Sequence, residues 1–272
     1  MGTSGSSTGN GTVYVGVSTK MYLGYQASLR WLSEVRSVVD ERPGLGRGSA
    51  HESPVRVFVI PSFPVLEPAT RILAGSPVVL GAQNCAWGDG PLTGEVSPGM
   101  LAELGVTLVE IGHAERRRLF AEDDAVVARK VRAAVGHSLT PLLCIGEPDM
   151  LDAGAAADFC LRQVRAATGG DPAVLDRLVL AYEPVWAIGA DAPAPPHHVN
   201  SVLALLRAEL GPDCPLIYGG SAGPGLLPQL TAADGLFLGR FAHDAANLGR
   251  VLDEALAVAQ TRAPASNSSR RS

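Results

Sequence analysis

Three side chains in this sequence are equipped to move a proton and to stabilise the charge that results: Lys20, His113 and Glu183. Each follows a short apolar run, and each brings a different chemistry. Lys20 is a fixed cation, His113 an acid or electrophile, and Glu183 a carboxylate base. Two glycine-containing stretches accompany them, Gly219-Gly220-Ser221 and Gly239-Arg240. Both lead towards what read as helix N-termini, where outward N–H groups and the helix dipole favour an anion such as phosphate. A base, an imidazole, an ammonium and a phosphate cradle together suit the removal of a proton α to a carbonyl and the stabilisation of the enediolate that forms. Neither a metal-ligand cluster nor a nucleotide fingerprint competes, so the expected chemistry needs no cofactor and no metal. Taken singly, a His after a strand is more often structural, a Glu before Pro can cap a helix, and a Gly-Gly pair is usually a turn. The weight lies in their convergence.

What must position these groups is a repeating unit. Apolar runs at 13–17, 55–60, 78–81, 107–111, 139–145, 178–181, 216–218 and 236–238 read as strands. Helical periodicity follows at 26–39, 65–74, from near Ser97, at 123–135, 155–167, 197–210 and 245–259, with the segment 223–232 behind the seventh run. Eight alternating units predict a parallel (β/α)₈ barrel, an α/β fold whose doubly buried strands are apolar throughout. A doubly wound open sheet is disfavoured because the first strand-to-helix turn lacks Gly-x-Gly-x-x-Gly. In such a barrel the active site lies at the C-terminal strand ends. Polar residues gather there: Ser18, Thr19 and Lys20, Gln83 and Asn84, His113 and Glu115, Glu147, and Glu183.

The barrel should span 13–261 as one domain, with polar, disordered ends at 1–12 and 262–272 and a solvent-facing glycine-rich loop at 41–54. With 22 Lys+Arg against 27 Asp+Glu, the net charge of −5 argues against a nucleic-acid partner. No apolar run is long enough to span a membrane and no secretory leader is recognisable, which points to the cytoplasm. Cys85, Cys144, Cys160 and Cys214 lie far apart and read as buried free thiols of a reducing compartment. Only two lysines occur, Lys20 and Lys130. Lys130, in VARKVRAA, reads as part of a solvated helix face.

The strings IGHAERR around His113, AYEPVWAIG around Glu183, GAQN at 81–84, TGE at 93–95, CIGE at 144–147 and YGGS at 218–221 resemble the triosephosphate isomerase family, in order and spacing, from Val13 to about Ala259. The resemblance implies Lys20 as the electrophilic lysine supported by Glu115, His113 as a neutral imidazole and Glu183 as the base. It further implies phosphate contacts from Gly189, Ser221 and Gly239, a closing lid at 184–194 with an apolar tip at 185–188, and a two-fold homodimer through the loop 83–97, with Thr93 close to the partner's site. Departures from the family pattern fall on the walls of the site. The family's Asn-Trp-Lys-Met-Asn is Ser18-Thr19-Lys20-Met21-Tyr22 here, and its Ser after the histidine is Ala114. Its lid ending Gly-Thr-Gly-Lys is Gly189-Ala190-Asp191-Ala192, and its second phosphate-loop glycine is Arg240. Ser18 frees space at the reacting end, and Arg240 adds a donor fork that suits phosphate or extra hydroxyls. These two changes resemble the erythrulose-phosphate isomerase branch. The expected reaction is therefore L-erythrulose 1-phosphate to D-erythrulose 4-phosphate, with a triosephosphate isomerase as the alternative and an inactive barrel serving as a binding protein as the alternative of another class.

Overall fold

The computed structural model describes residues 11–45 and 53–262. Of the expected disordered ends and the glycine-rich loop, residues 1–10, 46–52 and 263–272 lie outside the described residues. Eight parallel strands close on themselves in chain order. They are β1 (Val13–Ser18), β2 (Val55–Ile60), β3 (Val79–Ala82), β4 (Leu108–Ile111), β5 (Thr140–Ile145), β6 (Val179–Tyr182), β7 (Leu216–Gly219) and β8 (Gly235–Leu238). Closure is direct: Val15 of β1 stands opposite Val57 on one side and Leu236 on the other. Around this sheet run α1 (Tyr25–Asp40), α2 (Leu66–Ile72), α3 (Pro98–Glu103), α4 (Ala114–Leu119), α5 (Asp124–Gly136), α6 (Ala153–Thr168), α7 (Pro172–Leu175), α8 (Pro196–Leu210) and α9 (Ala245–Arg262). None is long and apolar enough to cross a membrane.

Strand pleating divides the core into two shells. Val13, Val15 and Val17 face outward and meet the buried stripe of α1, Trp31, Leu32, Val35 and Val39, along with the apolar faces of the other helices. Tyr14, Phe58, Leu108, Leu142 and Phe237 face inward and fill the lumen. Gly16 must be glycine, because a Cβ there would stand 1.9 Å from the Phe58 ring. Helix starts follow local chemistry. Ser97, Asp123 and Asp152 accept the N–H groups of Met100, Val126 and Ala155, which satisfies donors that the helix itself cannot.

Two expectations need correction. The segment 223–232 forms no α-helix, only a 3₁₀ turn at Leu227–Gln229. Gly223, Pro224, Gly225 and Pro228 break the periodicity that Leu226, Leu227 and Leu230 suggest. Lys130 does not lie on a solvated face. It is 1% exposed, on the inner side of α5 with Val127 and Val131. Its Nζ donates to Asn84 Oδ1 at 2.7 Å and to the buried Glu122, which also accepts Arg116 Nε. A charge run in sequence hides this burial because the compensating acid and amide come from other elements. The cluster fastens the root of the loop 83–97 to the barrel. Above it Ala86 N–H reaches Val96 O at 2.8 Å and closes the loop's neck. Arg129 covers the Trp87 ring at 4.4 Å, so part of the loop's apolar surface packs against its own subunit.

Candidate active site

The backbone after β1 is held in an unusual shape. Lys20 has φ +47°, a left-handed conformation that costs a non-glycine residue energy. Ser62 Oγ and Gln83 Nε2 both donate to its carbonyl at 2.7 Å, fixing that conformation from β2 and β3. The result aims the ammonium inward, where Nζ donates to Glu115 Oε1 at 2.6 Å. Burial alone would push Glu115 up. The hydrogen bond and charge of Lys20, with Arg118, outweigh it and hold the carboxyl below its ordinary value.

His113 forms the N-cap of α4, and its Nδ1 accepts the Glu115 N–H at 3.1 Å. An accepting Nδ1 carries no proton, so the ring is the neutral tautomer with its hydrogen on Nε2. That Nε2 lies 3.9 Å from Glu183 Oε2 and 4.0 Å from Glu110 Oε1. Glu183 leaves the end of β6, its N–H held by Ile145 O at 2.7 Å and its exit stiffened by Pro184. Gly219 on β7 clears the space it fills, since a Cβ there would stand 2.6 Å from Glu183 Oε1. Oε2 is buried without a hydrogen-bond partner among the described residues, so this carboxylate is poorly solvated and available to a proton on a bound molecule.

One cavity of about 510 Å³ at the C-terminal end of the barrel is lined by all nine residues singled out in sequence: Ser18, Lys20, His113, Glu115, Glu183, Gly189, Ser221, Gly239 and Arg240. The same cavity is lined by loops in left-handed backbone. Gly189, Gly220 and Ser221 have φ of +72°, +121° and +47°. Ser221 Oγ donates to Ala190 O at 2.6 Å, tying the β7 loop to the segment after β6. No α-helix begins at Gly219–Ser221, and Gly239 leads into a 3₁₀ turn, Arg240–His243, ahead of α9. The anion-binding capacity of this end therefore rests on turn N–H groups in left-handed backbone rather than on helix dipoles. Arg240 is exposed at the cavity mouth, its guanidinium 5.6 Å from the Tyr22 ring, which in turn meets His243 at 5.8 Å. Two departures from the family pattern thus touch each other.

The segment 184–194 is fastened at both ends. Trp186 Nε1 donates to Glu147 Oε1 at 2.9 Å, and Ala194 N–H donates to the Tyr218 hydroxyl at 2.9 Å. Burial pushes that phenol up to about 12, so it keeps its proton and donates onward to Gly220 O. Trp186 is not at the tip, as the run 185–188 suggested. Its indole turns in against His198 and the exposed part is 189–192.

Sequence reasoning missed Glu110. It lies inside β4, 4% exposed, with Oε2 accepting the Ser18 hydroxyl at 3.1 Å. Burial pushes its carboxyl up to about 7. Glu183 adds to the rise, while His113, the Ser18 bond and Lys20 oppose it. The signal was present as a lone acidic residue in the apolar run TLVEI.

A family model described as triosephosphate isomerase matches residues 13–255. Among curated relatives, the L-erythrulose-1-phosphate isomerase of Pectobacterium atrosepticum is 46% identical over 253 residues, covering 90% of this chain and 96% of its own. The L-erythrulose-1-phosphate isomerase of Rhizobium etli is 37% identical, covering 95% and 98%. The triosephosphate isomerase of Roseiflexus sp. is 38% identical, covering 81% and 91%. With that extent of match and a closed barrel carrying its site at the strand ends, the chain belongs to the triosephosphate isomerase family.

Proposed function

We propose that this chain is a cofactor-independent phosphosugar isomerase acting through a cis-enediolate, and that it converts L-erythrulose 1-phosphate to D-erythrulose 4-phosphate. The observation that carries the reaction is the meeting of Glu183 Oε2, which has no hydrogen-bond partner among the described residues, with the proton-bearing His113 Nε2 at 3.9 Å, in the cavity that Lys20 also lines. Glu183 takes the proton from the carbon bearing the secondary hydroxyl. Negative charge grows on the neighbouring carbonyl oxygen, where His113 N–H and the Lys20 ammonium stabilise it. Protons then exchange between the two oxygens, and Glu183 returns its proton to the former carbonyl carbon. The ketone has moved by one carbon, with no net oxidation and no added reactant.

Glu115 holds Lys20, while Gly189, Ser221, Gly239 and Arg240 take the phosphate and 184–194 excludes water. For the substrate, support comes from Ser18 at the reacting end and from the identity levels, 46% to one erythrulose-phosphate relative against 38% to a triosephosphate relative. That second relative is the specific ground for keeping the triose phosphate as a second reading.

We also read the loop 83–97 as the arm of a two-fold homodimer. Thr93 is exposed near its end, and Met21, beside Lys20, is 91% exposed, an apolar surface that suits burial in a partner. Four buried free thiols fit a reducing cytoplasm.

Glu183 is the sharpest point of attack. Glu183→Asp withdraws the carboxylate by about 1 Å, which should cost roughly 10²-fold in rate, and Glu183→Gln should cost more. Isomerisation in D₂O should place deuterium on the former carbonyl carbon. Full activity in both variants would sink the assignment.

A further inference from the structure

Below the reacting residues, among the inward Phe58, Leu108, Leu142 and Phe237, the barrel lumen holds a buried carboxyl. Glu110 follows Leu108 by two positions and shares its inward direction. A buried carboxyl there is a costly occupant where an aliphatic side chain would serve packing better. Its Oε2 takes the Ser18 hydroxyl at 3.1 Å, a bond that crosses the lumen between β1 and β4, which are not neighbours in the sheet. No other hydrogen bond to this carboxyl is made among the described residues, and Oε1 lies 4.0 Å from His113 Nε2, beyond bonding reach.

The arrangement gives Ser18 a polarity. A serine hydroxyl has one hydrogen and two lone pairs. With the hydrogen committed to Glu110, the Ser18 oxygen offers only acceptor sites to the cavity it lines. Gly189, Ser221 and Arg240 of the anion-binding loops are exposed, whereas Ser18, Glu110, His113 and Glu183 are buried. A substrate lengthened at the end away from its phosphate therefore extends its extra carbon towards Ser18 and Glu110. That carbon carries a hydroxyl, which is a donor.

Building on the erythrulose-phosphate reading, we propose that Ser18 and Glu110 form an acceptor relay for the terminal hydroxyl of a four-carbon ketose phosphate. The substrate O–H donates to Ser18 Oγ, and the Ser18 O–H donates to Glu110, which acts as a positioning residue. The relay requires an acceptor oxygen facing the Ser18 hydroxyl, and a carboxylate presents one on either oxygen. His113, the Ser18 bond and Lys20 favour the charged form, whereas burial and Glu183 do not. Assays belong at pH 8, above its titration near 7.

The test measures kcat/KM for the tetrulose and triose phosphates in wild type, Ser18→Ala, Glu110→Leu, Glu110→Gln and the double variant Ser18→Ala/Glu110→Leu. The tetrulose-to-triose ratio should fall by about 20-fold or more in Ser18→Ala and in Glu110→Leu, because an unpaired polar contact discriminates strongly. The double variant should lose no more than either single one, since both break the same relay. Glu110→Gln, whose amide carbonyl can still accept, should keep the ratio within about threefold of wild type. Ser18→Ala reads the same ratio whether or not Glu110→Leu folds. An unchanged ratio in Ser18→Ala or Glu110→Leu, within a wild type that prefers the tetrulose, overturns the relay alone. A wild type that prefers the triose overturns the substrate reading and the relay with it.

Discussion

Two buried glutamates, Glu110 and Glu122, sit in opposite kinds of company. Glu122, 6% exposed, bonds Lys130 and Arg116, and Lys130 reaches on to Asn84. Its charge is matched, and none of these four residues lines the cavity that holds Lys20, His113 and Glu183. Glu110, 4% exposed, is given one serine hydroxyl, with His113 and Lys20 acting only through space. The difference separates structure from chemistry. A buried acid paired with two cations fixes a loop root, whereas a buried acid with no ion pair, bonded to a serine that lines the cavity, is placed to act on what that serine binds.

Breaking the matched cluster should have the largest effect on stability. Lys130→Met leaves Glu122 and Asn84 short of a partner, and removing one member of a buried ion pair costs about 3–5 kcal/mol. Urea denaturation at fixed protein concentration should show that loss. Sedimentation should show weaker self-association, because Asn84 anchors the loop assigned to the interface. A loss below about 1 kcal/mol would put Lys130 back among surface residues.

Glu110 should respond with the opposite sign. Its carboxyl moves from an ordinary 4.5 to about 7 on folding. Between those values the folded protein holds a proton that the unfolded chain releases, so folding takes up a proton and stability falls as pH rises through the window. The gap corresponds to about 3 kcal/mol of destabilisation above pH 7. Glu110→Gln, which has no charge to bury, should be more stable than wild type by up to that amount at pH 8. The advantage should shrink as pH falls and vanish below 4.5. A constant advantage across pH would mean that packing, not ionisation, separates the two proteins.

The smallest effect expected is at the lid. Tyr218→Phe removes the acceptor of Ala194 N–H and the donor to Gly220 O, worth about 1 kcal/mol apiece. Hydrogen exchange at Ala194 should quicken by roughly tenfold while the barrel strands stay protected. Equal loosening of β6 and β7 would instead mark Tyr218 as part of the core.

The same contrast explains what the sequence could and could not tell. Lys20, His113 and Glu183 were legible because each follows an apolar run at a strand end, where a barrel gathers its polar groups. The eight strands were legible because doubly buried strands are apolar throughout. Glu110 escaped because its partner Ser18 lies 92 positions away, and a charge inside an apolar run looks like noise until the lumen is built. Lys130 was misread for the same reason, since Glu122 and Asn84 reach it from outside its own helix. At 223–232 the leucines outweighed the glycines and prolines that forbid a helix there.

The proposed relay of Ser18 and Glu110 would refit a proton-transfer site of this family for a longer ketose phosphate. The most direct measurement of that refitting is kcat/KM of the unmodified protein for L-erythrulose 1-phosphate and for dihydroxyacetone phosphate under one set of conditions. A preference for the tetrulose of at least about 100-fold is expected, the scale set when a pocket is built to pair a hydroxyl that the competitor lacks. Turnover of the triose near the diffusional ceiling, with none of the tetrulose, would contradict it and leave a triosephosphate isomerase.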